Sequence, residues 1–500
     1  MLNNKNNIFA EDKEGDDFLG WNKVTNLTML TDFYEFTMGN GYFVQGFKDK
    51  IAYFDMFFRR VPDDGGFAIM AGVQQLIEFL QNFKFDDKDI EYLRSKNFNE
   101  EFLMYLRNFK FTCDVWALPE GTPIFPNEPM LIVRGPIIEA QLIETMVLIT
   151  INHQSLIATK ANRIVRAAQG RTVMEFGSRR AQGYDAAVLG ARAAYIGGCV
   201  GTSCTIVERD FDIPVLGTMA HSWVQLFDSE LEAFKKYATV YPDNCTLLVD
   251  TYSVLKSGVP NAIKTFQEEV VPKGFRPKGI RIDSGDMTYL SREARKMLDK
   301  AGFHDCKIIA SNSLDEHLIK ELLTQGAKID VFGVGERLIT AKSESVFGGV
   351  YKLSAIEEEG VIIPKIKISE NVGKITNPGF KQLWRFFDRD SGKAIADVIT
   401  LEHEVIDDNF PYEIFDPEHL WKRKIIKNFH AKKMLTKIFD KGQCIYESPD
   451  LKTIRNYCTQ QVESLWEEVL RFDNPHNYYV DLSKQLWELK ERLLVEHSIK

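Results

Sequence analysis

Four short stretches of this chain hold side chains of types that do chemistry on anions. In Gly217-Thr218-Met219-Ala220-His221-Ser222-Trp223, two hydroxyls and an imidazole fall within five residues. A neutral imidazole is a nucleophile near pH 7, and small neighbours let a phosphate approach it. In Gly279-Ile280-Arg281-Ile282-Asp283-Ser284-Gly285-Asp286, strand alternation puts Arg281 and Asp283 on one side. A guanidinium there can clamp a carboxylate or phosphate through paired hydrogen bonds, and the acids can hold Mg²⁺ or ribose hydroxyls. In Phe332-Gly333-Val334-Gly335, the glycines let backbone N–H groups approach a phosphate. In Glu175-Phe176-Gly177-Ser178-Arg179-Arg180, an aromatic precedes two cations, which suits a flat anionic ring.

Such residues act together only if the elements between them bring them to one place. From about residue 140, a long helical stretch (139–168) leads into seven short apolar runs, separated by amphipathic helical segments. The runs are 172–176, 199–203, 213–217, 246–249, 279–282, 307–310 and 329–332. Each ends in polar or glycine residues: Glu175/Gly177/Arg179, Thr202/Ser203, Thr218/His221, Asp250/Thr251, Arg281/Asp283/Asp286, Ser311/Asn312 and Gly333/Gly335. Repeated strand–helix units imply a parallel sheet, and seven in one domain favour a barrel, whose chemistry sits at the C-terminal ends of its strands. Turn residues and helix caps have the same composition, which explains any one of these ends but not the set.

The flanks read differently. Residues 1–25 read as a mobile leader, and 26–140 as a mixed α+β region with an aromatic-rich helix capped by Thr31. The barrel is expected over 141–347. After Gly348-Gly349 the alternation has period two, which predicts an antiparallel element over 348–446 that completes the N-terminal region as one discontinuous flanking domain. Residues 447–500 read as an amphipathic helical tail. The basic run from Lys422 to Lys437 reads as a solvated helical face. The expected class is therefore α/β: an irregular (β/α) barrel, a discontinuous α+β flank and a helical C-terminus.

Composition bounds the function. Five hundred residues exceed what one core usually fills. A formal charge of −9 argues against nonspecific nucleic-acid binding while allowing a local basic pocket. No apolar stretch is long enough to span a membrane, and the polar, acidic residues 1–17 are unlike a signal peptide. The seven cysteines are odd in number and scattered, and read as reduced thiols of a cytoplasmic protein.

The ordered motifs Thr31-Asp32-Phe33-Tyr34, Glu175 to Arg180, Gly217 to Ser222, Val249-Asp250-Thr251-Tyr252, Ile280 to Asp286, Ala310-Ser311-Asn312 and Gly348-Gly349-Val350-Tyr351-Lys352-Leu353 resemble those of nicotinate phosphoribosyltransferases over nearly the whole chain. The resemblance implies a homodimer with active sites shared across the interface. It also implies transfer of the phosphoribosyl group of 5-phosphoribosyl 1-diphosphate (PRPP) to nicotinate, giving nicotinate mononucleotide and pyrophosphate in NAD salvage. ATP is the implied co-substrate and Mg²⁺ the implied metal. By the same resemblance, His221 is the phosphorylated histidine. Tyr34 and Phe176 stack on the pyridine ring, Thr218 and Arg281 contact nicotinate, Asp250, Asp283, Gly333, Gly335 and Thr340 face PRPP, the two aspartates also holding the metal, and Arg179 and Ser311 are further substrate-binding residues.

One residue departs from the pattern: Glu336 stands beside the phosphate loop where the family often has a small hydroxyl residue. Three other readings stay open: a nicotinamide or quinolinate transferase, a catalytically silent nucleotide-binding homologue, and a phosphosugar lyase or isomerase. An intact His221 argues against the silent homologue. A lyase would want a buried Schiff-base lysine, and none of the seven run ends offers one.

Overall fold

A computed structural model of the chain describes residues 26–417 and 419–498, so the expected leader over 1–25 lies outside it. Its centre is a parallel sheet of five strands in the order Thr172–Glu175, Val331–Val334, Lys307–Ser311, Gly279–Ile282, Thr246–Leu248. The strands are short, almost wholly buried and rich in Val, Ile and Leu, as expected of strands covered on both faces. Beyond Thr172–Glu175 the array continues as two isolated parallel bridges, Glu175 to Thr202 and Thr202 to Val215. All seven predicted runs thus lie side by side in cyclic order.

The barrel expected from them is not closed. Among the described residues no strand pairing joins the 213–217 run to Thr246–Leu248, and the array stays open at that seam. The two weakest runs lie beside it: Gly197, Gly198 and Gly201 precede Thr202, and Pro214 has no N–H to donate, so these two runs pair with each other through a single bridge. The connecting helices are capped where the sequence provides acceptors. Asp286 accepts from Tyr289 N at 2.9 Å to start Met287–Lys300, and Asp315 accepts from Leu318 N at 2.8 Å to start Glu316–Thr324. Asp286, read from sequence as a candidate anion-site acid, is therefore a helix cap.

A second, antiparallel sheet is built from both ends of the chain. Its order is Val361–Pro364, Gly349–Glu358, Ile51–Phe58, Leu131–Pro136, Asp114–Ala117, Thr436–Asp440, Gln443–Cys444. Phe58 pairs with Gly349 and Ala52 with Ile356, so segments some 300 residues apart share one ladder. The largely buried helix Glu144–Ala167 ties the two sheets together. Its Lys160 reaches Asp63 at 3.0 Å and Glu316 at 2.9 Å, with all three carboxylate and ammonium groups largely withdrawn from water.

Three sequence expectations need correction here. The C-terminal region is not wholly helical: Tyr479–Leu482 separates Leu451–Glu463 from Lys484–Ser498 and pairs parallel with Ala394–Leu401. The basic run is not a helix but the strands Arg423–Ile426, Phe429–Lys433 and Thr436–Asp440, on which Lys424, Lys432 and Lys433 are exposed and Lys437 is half-buried. Thr31 does not cap the N-terminal helix Phe33–Val44; Asp32 occupies the cap position, and the Thr31 hydroxyl donates to Glu35 instead. No helix among the described residues is long and apolar enough to cross a membrane.

Candidate functional site

Neighbouring strands of the parallel sheet end together, which gathers the polar residues that follow them. Arg281, on Gly279–Ile282, is the hub. Its Nε donates to Ser311 Oγ at 2.8 Å, and its Nη1 donates to Thr218 Oγ1 at 3.3 Å. Its guanidinium carbon lies 5.7 Å from the centre of the Phe176 ring, within cation–π range. Ser311 Oγ in turn donates to Asp283 Oδ1 at 2.6 Å, while Arg281 Nη2 stands 3.6 Å from that same oxygen.

Asp250 follows the edge strand Thr246–Leu248. Its Oδ2 accepts from Asp283 N at 3.0 Å and from Ser284 Oγ at 2.6 Å. Its Oδ1 is buried and has no hydrogen-bond partner. Carboxylate oxygens of Glu128, Glu230 and Glu316 are left in the same condition away from this cluster, so it is the position of Asp250 against Asp283, and not the unmet oxygen alone, that marks a place for a ligand. An oxygen donor next to a second carboxylate suits a hard divalent cation that completes its shell with substrate phosphates and water. Asp250 and Asp283 thus offer hard oxygen donors of the kind that Mg²⁺ takes.

His221 opens the short helix His221–Gln225 on the far side of the open seam. Its Nδ1 lies 3.1 Å from Thr251 Oγ1, one residue from Asp250. That contact bridges the seam which strand pairing leaves open, and fixes one imidazole nitrogen while the ring stays partly exposed. The unclosed edge thus becomes an opening beside a nucleophile.

Phe176 is aimed by its surroundings. Glu175 is fully buried, accepts from the Gly177 N–H, and accepts from Thr202 Oγ1 at 2.6 Å. Burial pushes its pKa up despite those two bonds. Phe176 packs over Gly333: a Cβ at Gly333 would lie 2.7 Å from the ring, so only glycine fits beneath it. Gly335 lies close to the Phe176 carbonyl, with a Cβ there at 3.1 Å from that oxygen. Glu336, the departure noted above, turns aside to Lys342 at 2.7 Å, which holds its carboxyl below the usual range. The Thr340 hydroxyl donates to the Glu336 carbonyl at 2.7 Å, within its own turn of helix. Next to Ser311, Asn312 and Ser313 hold positive φ values of 103° and 48°, a strained pair of the kind found at working sites.

Two sequence-predicted residues stand apart. Arg179 is exposed in the turn Ser178–Arg180, and the cation over Phe176 is Arg281 instead. Tyr34, 44% exposed on Phe33–Val44, has Glu144, Glu35 and Asp32 as its charged neighbours. Burial of part of the phenol, with the Glu144 carboxylate beside it, pushes its pKa up. Sequence reasoning passed over Thr251 and the Glu175–Thr202 bond. Both stood at the ends of predicted runs, but only proximity in space singles them out.

Residues 172–403 match the nicotinate phosphoribosyltransferase (NAPRTase) family, residues 29–152 its N-terminal domain and residues 380–490 its C-terminal domain. A nicotinate phosphoribosyltransferase of Bacillus subtilis is 45% identical over 479 residues, covering 96% of this chain and 97% of that protein. One of Dictyostelium discoideum is 34% identical, covering 94% of this chain and 88% of that protein. The crystal structure of human nicotinic acid phosphoribosyltransferase superposes with a TM-score of 0.83 at 28% identity, covering 93% of this chain and 99% of that one. With matches running almost from end to end, and with the anion-reading residues gathered as described, the chain belongs to the nicotinate phosphoribosyltransferase family.

Proposed function

We propose that this protein transfers the phosphoribosyl group of PRPP to nicotinate, releasing pyrophosphate, with ATP hydrolysis coupled through phosphorylation of His221. The observation that carries the reading is the Arg281 cluster. A guanidinium stacked on Phe176 and steadied by Ser311 and Thr218 adjoins two carboxylates, one with a buried unsatisfied oxygen. A ring packed on Phe176 with its carboxylate at the guanidinium edge would sit next to a place for a polyphosphate and its cation.

In this reading Arg281 and Thr218 bind the nicotinate carboxylate, and Phe176 carries one face of its ring. Glycines 333 and 335 let PRPP phosphates approach the backbone, with Ser311 and Thr340 nearby. Asp250 and Asp283 would hold Mg²⁺, which when bound offsets the charge of the departing pyrophosphate. Transfer at the anomeric carbon builds positive charge on the ribose, so the protein's main task is to hold both partners in line and exclude water. Phosphorylation of His221 adds nearly two negative charges beside Asp250. Repulsion there reorganises the PRPP contacts and links ATP to the condensation.

The reading extends to assembly. Phe33, Tyr34 and Met38 expose an aromatic edge on one helix, which supports a homodimer in which Tyr34 covers the second face of the partner's pyridine ring. Arg179, exposed beside Phe176, would meet the same ligand. The shared antiparallel sheet supports a flanking domain made of 26–140 and 348–446 around a catalytic array of 141–347, followed by 447–500. Seven free cysteines are in keeping with a cytoplasmic protein.

Product analysis tests the reading: PRPP with nicotinate, nicotinamide or quinolinate, each with and without ATP. Nicotinate mononucleotide should form fastest, and faster with ATP. Preference for nicotinamide, or no product from any of the three, would overturn it.

A further inference from the structure

We infer that the Ser311 hydroxyl is a spacer that keeps Arg281 and Asp283 from pairing with each other, so that the guanidinium's outer edge stays free for the carboxylate of a planar substrate. The identity of that ligand rests on the function proposed above; the spacer itself rests on geometry.

A serine hydroxyl has one proton and two lone pairs. Here the proton goes to Asp283 Oδ1 at 2.6 Å, and one lone pair takes the Arg281 Nε–H at 2.8 Å. Ser311 is 3% exposed, and its only proton is spent inside the protein, so it has no donor left for a ligand. This changes its role from the substrate contact implied by resemblance to a positioning residue.

The interposed hydroxyl matters because of what would happen without it. Arg281 and Asp283 lie two residues apart on one side of one strand, and Arg281 Nη2 is already 3.6 Å from Asp283 Oδ1. A guanidinium beside a carboxylate prefers the two-bond fork. In that fork two Arg281 donors would be spent on Asp283, and its charge would be neutralised before any substrate arrived. Asp283 would likewise lose carboxylate oxygens to the guanidinium. The hydroxyl comes from the neighbouring strand Lys307–Ser311, held in parallel register with Gly279–Ile282. Sheet register alone therefore places it. Thr218 on one side and Phe176 beneath then fix the plane of the freed guanidinium.

Ser311→Ala tests the inference in the full-length protein. Loss of the hydroxyl should raise the nicotinate KM and the Kd from equilibrium dialysis about tenfold or more, as expected when a charge-assisted bond is redirected. The change in kcat should be smaller. Ser311→Thr, which keeps the hydroxyl, should restore most of the affinity. Thermal stability should hold or rise, because the variant gains a direct ion pair; a merely structural serine would lower it. A crystal structure of Ser311→Ala should show Arg281 and Asp283 closed into a direct pair. If the two side chains stay in place with the gap unbridged, or if Ser311→Ala binds nicotinate as tightly as the parent protein, the spacer role is wrong. If the parent protein itself binds no nicotinate, the functional reading falls, and the crystal structure alone then decides the spacer.

Discussion

At the scale of single residues, Arg281 and His221 separate recognition from energy coupling. Arg281 lies half-buried with its bonds spent on Ser311 and Thr218, so it is held in place before substrate binds. Removing one side of a buried guanidinium–carboxylate pair costs about 3–5 kcal/mol. Arg281→Ala should therefore raise the nicotinate requirement by about two to three and a half orders of magnitude. Nicotinamide, which carries no charge, should suffer far less, and equal losses in the two KM values would remove Arg281 from that role. His221 touches Thr251 rather than the Arg281 cluster. His221→Asn should thus abolish the acceleration by ATP and the acid-labile label from γ-labelled ATP, while nicotinate affinity stays within a few-fold. Persisting label would place the phosphoryl group on another residue.

At the scale of elements, the N-terminal helix Phe33–Val44 is docked by a carboxylate that belongs to no catalytic cluster. Glu35 is fully buried, accepts from Thr145 Oγ1 at 2.6 Å and Thr145 N at 3.2 Å, and also receives the Thr31 hydroxyl. Burial outweighs those bonds and the neighbouring Glu144 adds to it, pushing the pKa up to about 7 from 4.5. A raised carboxyl pKa means the folded state binds the proton more tightly than the unfolded chain. Its contribution is thus fully present at or below pH 4.5 and is lost as pH rises towards 7. The loss is about 3 kcal/mol at most. Glu35→Gln, which cannot ionise, should escape it. Thermal unfolding across pH should show the variant gaining on the parent protein between pH 4.5 and 7, with a constant gap above that range. A gap independent of pH would mean Glu35 does not titrate there. Glu144, Asp32 and Lys352, which pairs with Glu144 at 3.7 Å, are the other charges around this docking point.

At the scale of the whole molecule, the described chain contains one gathered cluster but leaves Tyr34 outside it. Tyr34 shares its helix with exposed Phe33 and Met38, an aromatic edge that a partner subunit can cover. If the partner's ring is what Tyr34 stacks on, Tyr34→Ala and His221→Ala chains, each deficient in ATP-stimulated transfer, should complement each other in that activity. Mixed dimers would then hold one site with an intact tyrosine from one chain and an intact histidine from the other. Activity should recover towards a quarter of the parent value after subunit exchange, as random pairing into two-site dimers requires. No recovery in mixtures shown to exchange would mean that each chain carries a complete site.

What the sequence determined by itself was local: the seven buried runs, the polar residues at their ends, and the period-two pattern on both sides of them. These follow from short-range chemistry, since apolar runs must be buried and glycine, aspartate and serine favour turns and caps. Whether the runs close on themselves was decided by tertiary structure, in which the 213–217 run bridges to Thr202 but makes no pairing with Thr246–Leu248. The basic run misled because exposed lysines on short edge strands and lysines on a helical face have similar composition. Asp286 and Asp250 look equally suited to a cation in sequence. Only the folded chain gives the first a helix to cap and leaves the second with a buried, unsatisfied oxygen. Ser311 stands 28 residues from Asp283 and 30 from Arg281, and parallel register alone slips its hydroxyl between them.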